Sequence, residues 1–197
     1  MNKSVIRNLV YSRVAFFGAM AICIVLSQRG ITDNQGLSYY GTTWQTFVPY
    51  ALGFVLTAFF VFRATFGIEN DDFQGKFLTV ALRLVAVLML GVLMTPYAIS
   101  MDVYHIHVMI SATLFIIELI LAIWFTFYIR PDWINRALIL LVLASGIVAY
   151  MSLNSTLRYM VQAQLAYELC FALMLLRSLK SMRMQVPSRG THVNQAE

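Results

Sequence analysis

The sequence predicts an all-α fold: an integral-membrane bundle of six transmembrane helices, with both termini on the cytoplasmic side. Three observations carry this. Of 197 residues, 60% are hydrophobic and 12% charged, with a mean hydropathy of +0.74; a soluble domain carries roughly a quarter charged residues. The apolar residues arrive in blocks of about 20, the span of a membrane helix. The basic residues lie mostly at the ends of those blocks, where they orient a chain in a membrane. The same placement argues against a nucleic-acid site, for which the net charge of +5 would otherwise be suitable, because no phosphate-binding patch is formed.

The first apolar run covers Asn8–Ser27. Lys3, Arg7 and Arg13 precede or enter it, as in a signal peptide, but "CIVLSQRG" lacks a small-x-small cleavage pattern, so an uncleaved first helix is expected. The second run is Thr46–Phe66, after the longest loop, "QRGITDNQGLSYYGTTWQ". The third is Phe77–Ser100, the fourth Tyr104–Ile129, the fifth Trp133–Leu153 and the sixth Leu157–Leu179. Each is long enough to span a bilayer. Pro49 and Pro96 sit near helix ends, and Pro131 is placed as the first residue of the fifth helix. The small pairs Ala15/Ala19 and Ser145/Ala149, four residues apart, permit close packing. Residues 1–180 make one domain; the polar tail 181–197, "SMRMQVPSRGTHVNQAE", is expected to be disordered.

Orientation follows from Lys and Arg. One side collects Lys3, Arg7, Arg13, Arg63, Lys76, Arg130, Arg136, Arg177, Lys180, Arg183 and Arg189; the other has Arg29 and Arg158. Eleven against two places both termini in the cytoplasm, at the inner membrane if the source is bacterial. Tyr39, Tyr40, Trp44, Tyr97, Tyr104, Tyr150 and Tyr159 fall near the outer boundary as an aromatic belt.

Against this apolar background a few polar residues stand out. Glu118 lies eleven residues past His107 and Glu168 eleven past Leu157, each roughly 16 Å deep at helical rise and so near the midplane. Arg83 is seven residues past Lys76, roughly 10 Å from the other side. On a helical wheel His107, Ser111, Leu114 and Glu118 share a face, as do Gln164 and Glu168 on the sixth helix and Lys76, Thr79 and Arg83 on the third. Ionised groups at midplane persist when they pair, meet water or take up a proton. The expected network joins Arg83 to Glu118, Glu168 or both, with Gln164 completing the hydrogen bonds. Structural roles for these groups stand beside a ligand or proton role. His107 and Ser111 are candidates for an outer access path to Glu118.

"MDVYHIH" adds an outer polar cluster of Asp102 and His105 beside His107, but helical spacing of two points the histidines apart, and a metal site needs three or four convergent ligands. No metal and no cofactor is expected. Cys23 and Cys170 both lie in apolar runs and read as small core residues. No Gly-rich phosphate loop, nucleophile elbow or HExxH is present. The acidic "GIENDDFQGK" lacks EF-hand spacing and reads as a solvated turn.

"GLSYYGTTWQTFVPYALGF" followed by a long apolar helix resembles the start of the second helix in the Frag/DRAM/Sfk family of six-helix membrane proteins. "YHIHVMISATLFIIELILAIW" is similar to that family's fourth-helix pattern, in which a histidine precedes an A…F run. The resemblance covers Ile31 to Trp124. Pro49 comes later than in the family pattern, and the third outer segment is shorter. The layout also resembles related bacterial families of unknown function. The resemblance implies a non-enzymatic protein in sensing, scaffolding or lipid-related roles, and brings no catalytic residues. The leading expectation is therefore a non-enzymatic integral membrane protein. Its partners would be the bilayer, a lipid or small-molecule ligand, and a protein partner. A small proton-coupled carrier using Glu118 and Glu168 is the alternative, and an intramembrane enzyme comes third.

Overall fold

The structure, a computed structural model, describes residues 3–69, 72–153 and 156–184. Among these residues there is no strand, and six long helices dominate: α1 (Lys3–Leu26), α2 (Trp44–Thr65), α3 (Phe73–Met94), α4 (Met101–Trp124), α5 (Trp133–Leu153) and α6 (Met160–Met184). The α1–α2 loop carries a single helical turn at Arg29–Thr32 and a 3-10 turn at Leu37–Gly41. One π-helical turn, Phe125–Ile129, extends α4. Five helices are long and apolar enough to cross a membrane: α1, α2, α3, α4 with its π turn, and α5. α6 is 25 residues long, but Gln162, Gln164 and Glu168 interrupt its apolar run and Arg177 and Lys180 follow it.

Local chemistry sets the helix ends. α3 starts at Phe73, four residues before the expected Phe77, because the Asp72 side chain caps it by accepting from the Gly75 N–H at 2.7 Å. It stops at Met94 rather than Ser100. Thr95 precedes Pro96 and leaves the helical region at φ −118°, ψ 65°, as a pre-proline residue should. The Ser100 hydroxyl then accepts from the Val103 N–H at the start of α4. Pro131 does not open α5. Asp132 caps that helix, accepting from the Asn135 N–H at 2.8 Å, and the proline lies one residue before the cap. α1 begins at Lys3, so Arg13 lies well inside it. α6 runs through Met184, so residues 181–184 are helix rather than tail; the rest of the expected tail lies outside the described residues.

Helices α1 to α4 pack in chain order as a meander, and α5 and α6 pack on each other as a hairpin. The tightest approach is between α1 and α2. A Cβ at Gly53 would collide with that of Ala19, so the missing side chain lets the backbones close. Thr57 ties the pair by donating to the carbonyls of Ser12 (3.2 Å) and Gly53 (2.6 Å). Ala149 of the second small-residue pair lines a cavity. The hairpin meets the meander chiefly through α6, which touches α1, α4, the π turn and the Leu37–Gly41 turn. The interior is filled by Phe16, Met20, Tyr50, Leu82, Phe125, Phe171 and Met174, all nearly inaccessible. Large apolar side chains are exposed on every long helix, among them Val14, Leu52, Val87, Ile116, Leu140 and Leu169. A soluble monomer rarely shows apolar patches beyond a few hundred Å². Such an exterior suits hydrocarbon better than water.

Candidate functional site

Deep in the bundle α1, α4 and α6 bring together one cation and two acids. Arg13 of α1 donates through Nη1 to Glu168 Oε2 of α6 at 3.1 Å, with side-chain exposures of 8% and 9%. The guanidinium also lies over the Phe171 ring, 5.3 Å from its centroid. Glu118 of α4, 1% exposed, is buried close enough to Glu168 and Arg13 to feel both of their charges. Glu118 Oε2 and Arg13 Nε are buried without a protein partner. The cluster thus retains one free acceptor and one free donor in a place where leaving them unmade is costly.

Arg83 is not the partner of the glutamates, as the sequence reading expected. It is exposed on α3, where its Nε donates to Thr65 Oγ1 at 3.2 Å and its guanidinium lies 5.8 Å from the ring centroids of Phe62 and Phe66. The inward face of α3 is Leu78, Leu82, Val85 and Met89. Arg83 points away from it, and its long apolar stem lets the charged end run along α2. Gln164 does not serve the acids either: its Oε1 accepts the Leu37 N–H at 2.8 Å and so ties α6 to the first loop. Arg13 was counted among orientation charges because it follows Lys3 and Arg7 so closely. Its spacing held the missed signal, since Val5, Leu9, Ser12, Phe16, Met20 and Cys23 form the buried stripe in which it sits.

A cavity of about 770 Å³ occupies the loop end of the bundle. The Thr32–Ser38 segment roofs it, α4 lends Tyr104, His107, Ser111 and Phe115, α5 lends Ala149 and Tyr150, and α6 lends Met160 and Gln164. His107 is held on both ring nitrogens, by Ser38 Oγ at 2.8 Å and Thr95 Oγ1 at 3.3 Å. The roof is stitched down by Asn34, which adopts a positive φ of 57°. Its amide donates to the carbonyls of Ser152 (2.8 Å) and Leu157 (3.2 Å), and its oxygen accepts from the Met160 N–H (3.0 Å) at the first turn of α6. Asn tolerates this left-handed conformation better than most residues.

His107 and Ser111 therefore line the cavity, but Glu118 does not, and the expected open path to it is closed. Phe115, on the cavity wall one turn before Glu118, packs on Tyr167 of α6. Their rings meet edge to face at 4.7 Å, and the Tyr167 hydroxyl donates to the Phe115 carbonyl at 2.8 Å. Asp102 and His105 stay exposed on the first turns of α4 and do not converge with His107. Among the described residues no group of three or more His, Cys, Asp or Glu is placed to hold a metal ion. Cys23 and Cys170 are buried free thiols.

At the opposite end Asp132 binds two arginines, Arg130 Nε at 2.6 Å and Arg177 Nη2 at 3.0 Å. Partial burial pushes the Asp132 carboxyl upward, but the Asn135 N–H, the Arg130 bond and the two positive charges outweigh it and hold the pKa below the usual aspartate range. Asn135 reaches on to Ser178 Oγ at 3.2 Å, so this corner fastens α6 to the start of α5. No family model, curated protein or solved structure matches this chain.

Proposed function

We propose that this is a non-enzymatic integral membrane protein that binds a lipid or small ligand in the loop-end cavity. All six long helices would cross the bilayer with both termini in the cytoplasm, which places the cavity at the outer boundary. The cavity is the observation that carries the reading. Its volume falls in the ligand-binding range of roughly 300–1,000 Å³, and its wall mixes apolar surface with convergent polar groups. The six-helix layout supports the span count, because α6 turns Gln164 toward the first loop and Glu168 toward α1, and its apolar Leu169 and Leu173 outward, with Gln162 exposed in its first turn. The Lys and Arg asymmetry supports the orientation. Without the buried Arg13 it still stands at ten against two. The resemblance to the Frag/DRAM/Sfk family agrees with a non-enzymatic role.

Native mass spectrometry of protein extracted in mild detergent tests the reading. Wild type should carry a bound small molecule, and Ala112→Trp, which fills the cavity wall, should lose it while remaining folded. Reporter fusions at the two termini test the topology; a terminus reported outside would refute it. A second reading, a proton-coupled carrier, draws support from the carboxyl pair just beneath the cavity floor. It requires Phe115 and Tyr167 to separate during turnover. It predicts proton uptake or release when total lipid extract is added in weak buffer, in wild type and not in Glu118→Gln.

A further inference from the structure

The walls of the cavity say more about what it would hold. α4 and α5 both line it, yet they barely touch each other, since α5 packs on α6. The lining residues that face this gap are open to the surroundings: Ala112 and Val108 on α4, and Tyr150 and Leu153 on α5, the last two at 68% and 53% exposure. The cavity is therefore not only a bowl facing the loop end. It has a side exit, lined by apolar and aromatic groups, that faces the hydrocarbon in the proposed topology.

The mouth has a different chemistry. Two charged residues line the cavity, Asp33 from the roof and Arg158 from the α5–α6 loop. Both are exposed, and they do not form an ion pair with each other. Among the described residues the Asp33 carboxylate accepts only from its neighbour, Thr32 Oγ1, at 3.0 Å. A cation and an anion on one rim, each with room for a partner, match a ligand that carries both charges. Tyr97 and Tyr104 add hydroxyl groups at the same level. Tyrosine is a side chain of the membrane boundary, apolar in its ring and polar at its tip.

Resting on the ligand-binding reading, we propose that the cavity takes a zwitterionic membrane phospholipid from the side, its phosphate toward Arg158, its ammonium toward Asp33, and an acyl chain leaving between α4 and α5. The guanidinium supplies charge-assisted hydrogen bonds to phosphate oxygens. Asp33 rejects headgroups that lack a positive charge, because an unscreened anion would face it. The cavity does not reach Arg13, Glu118 or Glu168, so the headgroup stays clear of that cluster.

The test reconstitutes the full chain in mild detergent with phosphatidylethanolamine or phosphatidylglycerol of identical acyl chains and counts bound lipid by native mass spectrometry. Wild type should prefer phosphatidylethanolamine by about tenfold, the size of one charge-assisted contact. Asp33→Asn should abolish the preference by weakening phosphatidylethanolamine alone, and Arg158→Gln should weaken both lipids. Both positions are exposed, so the fold is retained. Equal binding of the two lipids by wild type would overturn the zwitterion while leaving a cavity ligand in place. Undiminished binding by folded Ala112→Trp would overturn the cavity itself, and the ligand-binding function with it. Soluble phosphoethanolamine serves as competitor. If it displaces the lipid at equal concentration, the chains contribute nothing and lateral capture is wrong.

Discussion

Replacing Arg13 with methionine should be among the most damaging single changes in this protein. The guanidinium is the partner of Glu168 at 3.1 Å, is 7% exposed as a residue, and packs on Phe171. Removing it leaves a buried carboxylate without its counter-charge, and breaking one side of a buried pair costs about 3–5 kcal/mol. At about 2–4 °C per kcal/mol for a chain of this length, the melting temperature should fall by about 6–20 °C. Glu168→Gln should cost a similar amount by stranding the arginine. The double replacement should recover much of the loss, because the coupling in the cycle belongs to the pair. Arg83→Met is the control: it removes one hydrogen bond to Thr65 on an exposed side chain and should cost no more than about 1 kcal/mol. Thermal unfolding of the four variants in one detergent reads all of this. If Arg83→Met is as harmful as Arg13→Met, or if Arg13→Met and Glu168→Gln add without coupling, the assignment of the counter-ion is wrong.

Glu118→Gln should be tolerated within about 1.5 kcal/mol in the same melts, because Glu118 Oε2 has no protein partner to lose and the amide keeps the size of the side chain. A collapse of the fold would show that Glu118 carries the charge. Asn34→Ala removes three hydrogen bonds and should cost about 1–3 kcal/mol, with amide exchange rising first at the start of α6; uniform exchange would refute its role as a stitch. Gly53→Ala should destabilise through the Ala19 contact, and Ala19→Gly should restore stability. Asp132 has its pKa held down in the folded chain, so its contribution is full above the unfolded value of about 3.9 and is lost as pH falls through the lower folded value. Asp132→Asn should therefore lower stability at neutral pH and flatten the acid limb of a pH–stability curve; an unchanged limb would show that the corner does not matter.

Much of the architecture is legible in the sequence, because a helix long and apolar enough to cross a membrane shows as an apolar block of nearly fixed length. The residues that end each block, such as Thr95 before Pro96, shift the boundaries by a few positions for local reasons that a hydropathy reading passes over. The inward glutamates are legible too, since depth and helical face follow from counting. What counting does not supply is the identity of the neighbours. Arg83 and Arg13 lie at comparable depth, and only the packing order tells that α6 lies against α1 and not against the inward face of α3. The cavity is still less visible. Its roof depends on Asn34 adopting a left-handed conformation and reaching a loop more than a hundred residues away. His107 and Gln164 find their partners in loops, at Ser38, Thr95 and Leu37, where a helical wheel has nothing to say.

The polar contacts share one physical purpose beyond their separate roles. Lipid chains are as apolar as leucine, so burial of apolar surface gives helices in a bilayer little reason to associate. The meander can rely on close backbone approach, as at Gly53 and Ala19. The α5–α6 hairpin lacks such a contact with it, and cavities flank α6 on two sides: the large one toward α4 and α5, and an apolar one of about 270 Å³ toward α1. What fastens α6 to the meander is polar contact at two depths, Gln164 and the Asn34 loop at one end and Glu168 on Arg13 in the middle, while at the other end Arg177 holds Asp132 at the start of α5. That is why the least apolar of the long helices lies against the others rather than apart from them.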